Sequence, residues 1–242
     1  MAAPAPVAPL ARADGLTYDP DVACSHLIQA DPRLGTLMSR AGPFTLRPRP
    51  AQSLFSALMR SIVYQQLSGK AAETILGRAI RACGPARFPT PRQVLAISPE
   101  RLRQAGLSTA KTAAVRDLAA KTLDGTVPSL ARIRRMEDEE IIQRLTQVRG
   151  IGRWTVEMLL MFRLGRPDIL PVDDLGVRKG AQVLDKLEEM PKPKDLALRG
   201  ERWGPYRTLA GLYLWRIADS AQEKPAAATA KPKPKVKRSQ DS

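Results

Sequence analysis

Gln147-Val148-Arg149-Gly150-Ile151-Gly152-Arg153-Trp154-Thr155, joined at positions 170–174 by Leu170-Pro171-Val172-Asp173-Asp174, is the stretch from which the fold is read. A polar amphipathic run over 137–147 meets Gly-Ile-Gly and then an apolar run from Trp154 to Phe162. That pattern predicts a helix, a tight glycine turn and a second helix. Glycines on both sides of one aliphatic residue let the backbone approach a partner closely, while Ile151 anchors the turn in the core. The second helix opens with N–H groups that have no partner of their own, which is a ready site for a phosphate, and Arg149 and Arg153 flank it. Taken alone, Gly-x-Gly also reads as an ordinary helix hairpin with a glycine C-cap. The companion piece points further, because Pro171 stops the chain and a carboxylate pair opens the next helix.

Outward from this stretch the signals are helical. Leu54, Leu58, Ile62 and Leu67 mark one face, and Ser68 is placed to cap a helix over 69–83. Thr90-Pro91 and Ser98-Pro99 each set a hydroxyl before a proline, the start of a helix with proline in its first position. Ser108, after Gly106-Leu107, caps a long helix over 109–123. Further helices are predicted over 137–148, 153–163, 174–187, 194–202 and 205–218, the last with Pro205 as its first residue. Upstream, Asp19-Pro20 and Asp31-Pro32 introduce helices over 21–29 and 34–40, and 43–50 reads as a linker. No alternating strand pattern stands out, so the expected fold is all-α: a two-lobed helical bundle with a central cleft. The expected organisation is a disordered leader (1–18), a middle lobe (52–170), a second lobe made jointly from 19–51 and 171–220, and a basic disordered tail (221–242).

The 242 residues carry a formal charge of +15 and 43% apolar side chains, enough for a proper core. The tail holds six Lys/Arg against two acids, so +11 stays on the body. A basic body as well as a basic tail points to a polyanionic partner, most simply nucleic acid; a solvated basic surface is the plainer alternative. The Lys/Pro tail reads either as a sequence-neutral DNA tether or as a solubilising extension. Cys24 and Cys83 are the only cysteines and His26 the only histidine, which excludes a zinc cage and a four-cysteine iron–sulfur cluster. Lone thiols fit a reducing compartment, so the expected location is cytoplasmic; a DNA partner would put it at the nucleoid in a bacterium or in the nucleus of a eukaryote. No apolar run is long enough for a membrane span, and 1–10 lacks the charged start of a secretory signal.

Gly150-Ile-Gly-Arg-Trp-Thr155 together with Pro171-Val-Asp-Asp174 resembles the helix-hairpin-helix (HhH-GPD) DNA glycosylase superfamily, and within it the 3-methyladenine DNA glycosylase II family. The resemblance spans roughly Ser53 to Trp215. It implies an enzyme that removes alkylated bases such as 3-methyladenine and 7-methylguanine from double-stranded DNA in base excision repair, without a cofactor; oligomeric state stays open, with a monomer as the default expectation. Asp174 falls where the family has its essential aspartate. A carboxylate held near C1′ of a deoxyribose stabilises the positive charge that develops as the base leaves, and it can orient the attacking water. Asp173, beside it, is expected to cap the helix.

Trp154 stands where bifunctional members carry a Schiff-base lysine, so the resemblance implies hydrolysis by water and an abasic site in an uncut strand. Trp154 and Trp215 align with pocket aromatics whose faces would attract a cationic alkylated purine. Both also fit as core tryptophans. Tyr64 joins the expected base pocket, as does Met158, which falls where the family can carry an aromatic. Gln66, in Tyr64-Gln65-Gln66-Leu67-Ser68, matches the residue that fills the gap left by a flipped base, and an exposed loop glutamine is the alternative. The expected DNA-backbone contacts are Gly150, Ile151, Gly152, Arg153 and Thr155 at the hairpin, and Ser108 and Lys111 at a second point. In the family a monovalent cation can sit on hairpin carbonyls, here those of Thr146, Val148 and Ile151. Two other readings stay open: a non-catalytic helix-hairpin-helix DNA-binding module, and a bifunctional oxidised-base glycosylase/lyase.

Overall fold

The computed structural model describes residues 15–43, 47–48, 52–85 and 87–223. Among them it places thirteen α-helices, one short 3-10 helix and no strand. In chain order the helices are α1 (Pro20–Ala30), α2 (Pro32–Ala41), α3 (Leu54–Tyr64), α4 (Gly69–Ala82), α5 (Pro91–Ala96), α6 (Pro99–Gln104) and α7 (Thr109–Leu123). They continue with α8 (Leu130–Ile133), α9 (Asp138–Leu145), α10 (Arg153–Phe162), α11 (Leu175–Asp185), α12 (Pro193–Gly200) and α13 (Arg207–Glu223), with the 3-10 turn Glu201–Trp203 before the last. The fold is all-α, as the periodicity predicts.

Most helices begin where a short polar side chain can satisfy an orphan N–H. Asp19, Asp31, Ser53, Ser68, Thr90, Ser98, Ser108, Ser129 and Asp174 each accept from a backbone N–H of the helix they open. Helix α10 differs: it opens on Gly152, in extended conformation, with no side-chain cap. The N–H groups at the start of the second hairpin helix are therefore not consumed by a side chain.

Among the described residues, buried apolar side chains gather in two clusters. One runs from Leu54 to Ile169 and includes the hairpin residues Val148 and Ile151. The other gathers Leu16, Tyr18 and residues of α1 and α2 with Val177, Leu184, Trp203 and the inner face of α13. Trp215 packs against both and so sits on the seam. The chain crosses the seam through 163–174, and that crossing is fastened to the start of α13. Asp168 takes both arms of the Arg207 guanidinium at 2.7 Å each, and buried Thr208 donates to Arg166 O (2.7 Å) while accepting from Ile169 N (3.0 Å). Bidentate Arg–carboxylate pairing adds geometric definition, so the loop leading to Asp174 is held against the start of α13.

Several expectations are corrected. Residues 15–18 are not part of a disordered leader: Leu16 and Tyr18 are buried, and Thr17 donates from N and Oγ1 to Gly165 O. Gly165, at φ +63°, permits that approach, because a Cβ there would collide with Gly15. Residues 1–14 of the leader and 224–242 of the tail lie outside the described residues, as do 44–46 and 49–51 in and beside the linker. The tail's first residues, 221–223, belong to α13. That helix starts at Arg207, so Pro205 is not its first residue; it follows a cis Gly204–Pro205 peptide bond. Helix α9 stops at Leu145, and Leu67 lies beyond α3 and is exposed. Helix α8 has no counterpart among the predicted elements, and the helix predicted over 194–202 ends at Gly200 and passes into the 3-10 turn.

Candidate active site

The hairpin is α9, the turn 146–152 and α10. Ile151 N donates to Val148 O (3.0 Å), and both side chains are buried, so the turn hangs from the core by its two aliphatic residues. Gly150 takes φ +77°, a conformation that costs other residues roughly 1–2 kcal/mol. The turn is also fastened from outside. Asp117 on α7 accepts from Arg149 N (2.7 Å) and from Lys121 Nζ (2.8 Å), and Lys121 reaches Gln147 O (2.5 Å). Burial pushes the Asp117 carboxyl up, but these donors outweigh it and hold the group below the ordinary range. From the α3–α4 turn, Gln65 Nε2 donates to Gly150 O (2.9 Å).

Asp174 meets the hairpin across the seam. Its Oδ2 accepts from Trp154 Nε1 at 2.8 Å, and its Oδ1 accepts from Trp215 Nε1 at 2.7 Å and from Val177 N at 2.9 Å. Three donors from α10, α13 and α11 thus fix one carboxylate, and Oδ2 keeps a lone pair free of these donors. Asp174, and not Asp173, is the N-cap of α11; Asp173 is exposed. The cap bond falls on Oδ1, so capping leaves Oδ2 to the indole of Trp154. Gly176 makes room for this: a Cβ there would lie 2.5 Å from Trp215 Cδ1 and 2.9 Å from Trp215 Nε1.

Trp154 is 49% exposed, so it is not a core tryptophan, whereas Trp215 is partly buried. Met158 and Phe162 follow Trp154 at successive four-residue steps, which puts the three on one face of α10. Phe162 stacks on Trp215 with centroids 6.0 Å apart and planes at 24°. Sequence reasoning missed Phe162 and Gly176. The four-residue step beyond Met158 was the available sign of the first; nothing local marks the second. Tyr64 shares no hydrogen bond or ring contact with Asp174 or the two indoles. Instead Arg60 covers one face of its ring at 4.3 Å and donates to its hydroxyl (2.6 Å).

The expected phosphate contacts divide. Gly150, Gly152 and Thr155 lie at the uncapped mouth of α10, with exposed Arg149 beside them. Arg153 does not offer a free charge. Its guanidinium forks onto Glu139 (3.2 and 3.0 Å) and donates to Glu157 (3.1 Å), whose side chain is almost fully buried and needs a counter-charge. Ser108 caps α7 through Lys111 N (3.3 Å) and is exposed. Lys111 turns inward, donating to Val63 O (2.8 Å) and Gln65 O (2.7 Å), and burial pulls its ammonium below the usual lysine range. Gln66 is exposed and sits at φ +56°, left-handed backbone that strains a non-glycine residue.

Backbone N–H groups of the hairpin turn donate to Ile142, Arg144, Leu145 and Val148 oxygens, and among the described residues none donates to those of Thr146 or Ile151. Two of the three carbonyls named for a monovalent cation are therefore open, and Val148 O has a second lone pair. Among the described residues no group of three or more His, Cys, Asp or Glu side chains is placed to hold a metal.

Comparison with known proteins bears directly on this geometry. The family profile described as HhH-GPD superfamily base excision DNA repair protein matches residues 59–205. DNA-3-methyladenine glycosylase 1 of Schizosaccharomyces pombe is 36% identical over 201 residues, which is 81% of this chain and 86% of that protein. The solved structure of the Schizosaccharomyces pombe 3-methyladenine DNA glycosylase in complex with abasic DNA superposes with a TM-score of 0.68 at 36% identity, covering 81% of this chain and 95% of that one. A Bacillus halodurans DNA-3-methyladenine glycosidase superposes with a TM-score of 0.76 at 38% identity, covering 86% and 94%.

Proposed function

The chain belongs to the HhH-GPD superfamily of base excision DNA repair proteins, and on that premise we propose that it is a monofunctional DNA glycosylase hydrolysing the N-glycosidic bond of alkylated bases such as 3-methyladenine and 7-methylguanine. The observation that carries this reading is Asp174, held by two indole N–H groups and the start of α11 on the seam between the two cores. The names of the relatives support the same substrate class.

In this reading the mouth of α10 and the hairpin amides hold a DNA phosphate, and the target nucleotide leaves the stack. Unstacking costs a few kcal/mol, least for a damaged, poorly paired base. Gln66 fills the gap. The extruded purine, cationic when alkylated, meets the ring faces of Trp154 and of the Phe162–Trp215 stack. As the glycosidic bond breaks, positive charge grows on the deoxyribose, and the fixed Asp174 anion stabilises it without reorganising. The free lone pair on Oδ2 orients the attacking water. Because the residue that reaches Asp174 from α10 is an indole, water and not an amine completes the reaction. The turn carbonyls of Thr146, Val148 and Ile151 would hold a monovalent cation, whose charge would draw the phosphate to the hairpin. No helix among the described residues is long and apolar enough to cross a membrane, and the substrate places the enzyme with genomic DNA, in a nucleoid or a nucleus.

The test is incubation with duplex DNA carrying alkylated purines, reading released base and strand scission before and after alkali. Base release with scission only after alkali is the expected result. Tight binding without release would make the chain a binding module, and scission before alkali would make it a lyase.

A further inference from the structure

We infer that Lys111 is a positioning residue that holds the gap-filling turn for base extrusion, an inference that rests on the glycosylase reading above. The turn between α3 and α4 has little of its own to fix it. Its residues 65–68 include Gln66 in left-handed backbone, and 66, 67 and 68 are all exposed. Two struts reach it from elsewhere. From α7, Lys111 Nζ donates to Val63 O (2.8 Å) and Gln65 O (2.7 Å), the carbonyls on either side of the last residue of α3. From the turn itself, Gln65 Nε2 donates to Gly150 O (2.9 Å) in the hairpin. The end of a helix leaves carbonyls unsatisfied, and an ammonium is the donor best suited to gather two of them.

Gln66 therefore stands between a residue pinned to α7 and the cap of α4, with its neighbour tied to the turn that receives the phosphate. Ser108 and Lys111 lie on the same first turn of α7, so the second expected DNA contact and the wedge share one rigid element. The ammonium is partly buried and two of its three donors are engaged. Its charge thus acts on the backbone that presents the wedge. A seated hairpin and a correctly aimed Gln66 become one event, because the hairpin turn, Gln65 and Lys111 form a continuous hydrogen-bonded line.

The two possible jobs of Lys111 differ in their readouts. A lysine on a phosphate contributes to the salt dependence of binding, about 0.9 in the slope of log K against log salt. A lysine that aims the wedge leaves that slope alone and matters most where the base must be forced out of a good pair. Lys111→Met keeps the stem and removes the donors, and Gln65→Ala cuts the other strut without touching α7.

Each variant would be measured for salt-dependent binding and for single-turnover release of 7-methylguanine. One substrate pairs the lesion with cytosine and the other places it opposite a one-nucleotide gap. Lys111→Met is expected to lose about tenfold in release from the paired substrate, the scale of one hydrogen bond from a charged donor, to lose less than about twofold from the gapped one, and to keep the wild-type salt slope. In a Gln66→Ala background the further loss from Lys111→Met should vanish. Gln65→Ala should repeat the paired-substrate signature and carries the test if Lys111→Met does not fold. Equal losses on both substrates, full additivity with Gln66→Ala, or a salt slope lower by about one would overturn the inference. A wild-type protein that releases no base from either substrate would instead overturn the proposed function.

Discussion

Replacing Trp154 by Phe separates the two jobs that the proposed mechanism assigns to one side chain. Phenylalanine keeps an aromatic face for the base but removes the Nε1–H that lies 2.8 Å from Asp174 Oδ2. A hydrogen bond to a charged acceptor contributes about 1.5–3 kcal/mol net. In the free protein the indole is 49% exposed, so water recovers part of this and the cost to stability stays near 1 kcal/mol. With a nucleotide in the site water is displaced, and the full value bears on the orientation of the carboxylate. At about 1.4 kcal/mol per tenfold, the single-turnover rate of Trp154→Phe should fall between tenfold and about a hundredfold. Its affinity for duplex carrying the lesion should stay within about twofold, since the ring face remains. Trp154→Leu, which removes face and donor together, should lose affinity as well. The assay is single-turnover base release paired with equilibrium binding to the same duplex. A wild-type rate for Trp154→Phe, with Trp154→Leu impaired, would refute the claim that the indole acts through Asp174.

Gly180→Ala tests how α13 carries Trp215 to the seam: a Cβ at Gly180 would collide with the Leu214 carbonyl. Overpacking of that kind costs about 3 kcal/mol, so the melting temperature should drop by about 6–12 °C, and an unchanged Tm would show that the two helices do not need the gap. Asp31→Asn tests the anchor of the second cluster. Burial alone would raise the Asp31 carboxyl, but hydrogen bonds from Trp203 (2.9 Å), Arg199 (2.6 Å) and Leu34 N (3.2 Å) outweigh it and hold the group below its ordinary value. A carboxyl lowered on folding contributes stability above its unfolded value of about 4, and that contribution is lost as pH falls through the folded value. Urea unfolding should therefore show Asp31→Asn weaker by about 3 kcal/mol at pH 7, with the gap to wild type closing below about pH 4; a gap independent of pH would contradict the account.

Helix starts were the most legible feature of this sequence, because a cap is a local event. Ser108 followed by 109–123, or Thr90-Pro91, carries its own explanation within four residues. The hairpin was legible for the same reason, and the aspartate beyond it was legible through its spacing and the family resemblance. What the chain hides is the far partner of each charge. Arg153 lies beside the hairpin turn in sequence, yet Glu139 and the buried Glu157 claim it. Lys111 sits in a stretch expected to meet the DNA backbone, yet carbonyls 46 and 48 residues away take two of its donors. Two aspartates in a row offered a cap and a catalyst as separate residues, whereas the geometry gives the cap to Asp174, the same residue the proposed mechanism uses. Gly176 and Gly180 look like flaws in a helix until Trp215 and Leu214 are seen against them. Leu16 and Tyr18 are too isolated in a Pro/Ala-rich stretch to show periodicity, and only the packed second cluster reveals them as core.

The most direct test is Asp174→Asn, measured for single-turnover base release and for binding to the same duplex. Asparagine keeps the shape and one acceptor oxygen but removes the anion. A unit charge about 4 Å from the developing cation contributes on the order of 4 kcal/mol at an effective dielectric constant of about 20, or roughly a thousandfold in rate. A loss of at least that size is expected, with binding to lesion DNA retained or tightened, because a negative charge beside the phosphates is gone. Release within tenfold of wild type would contradict it.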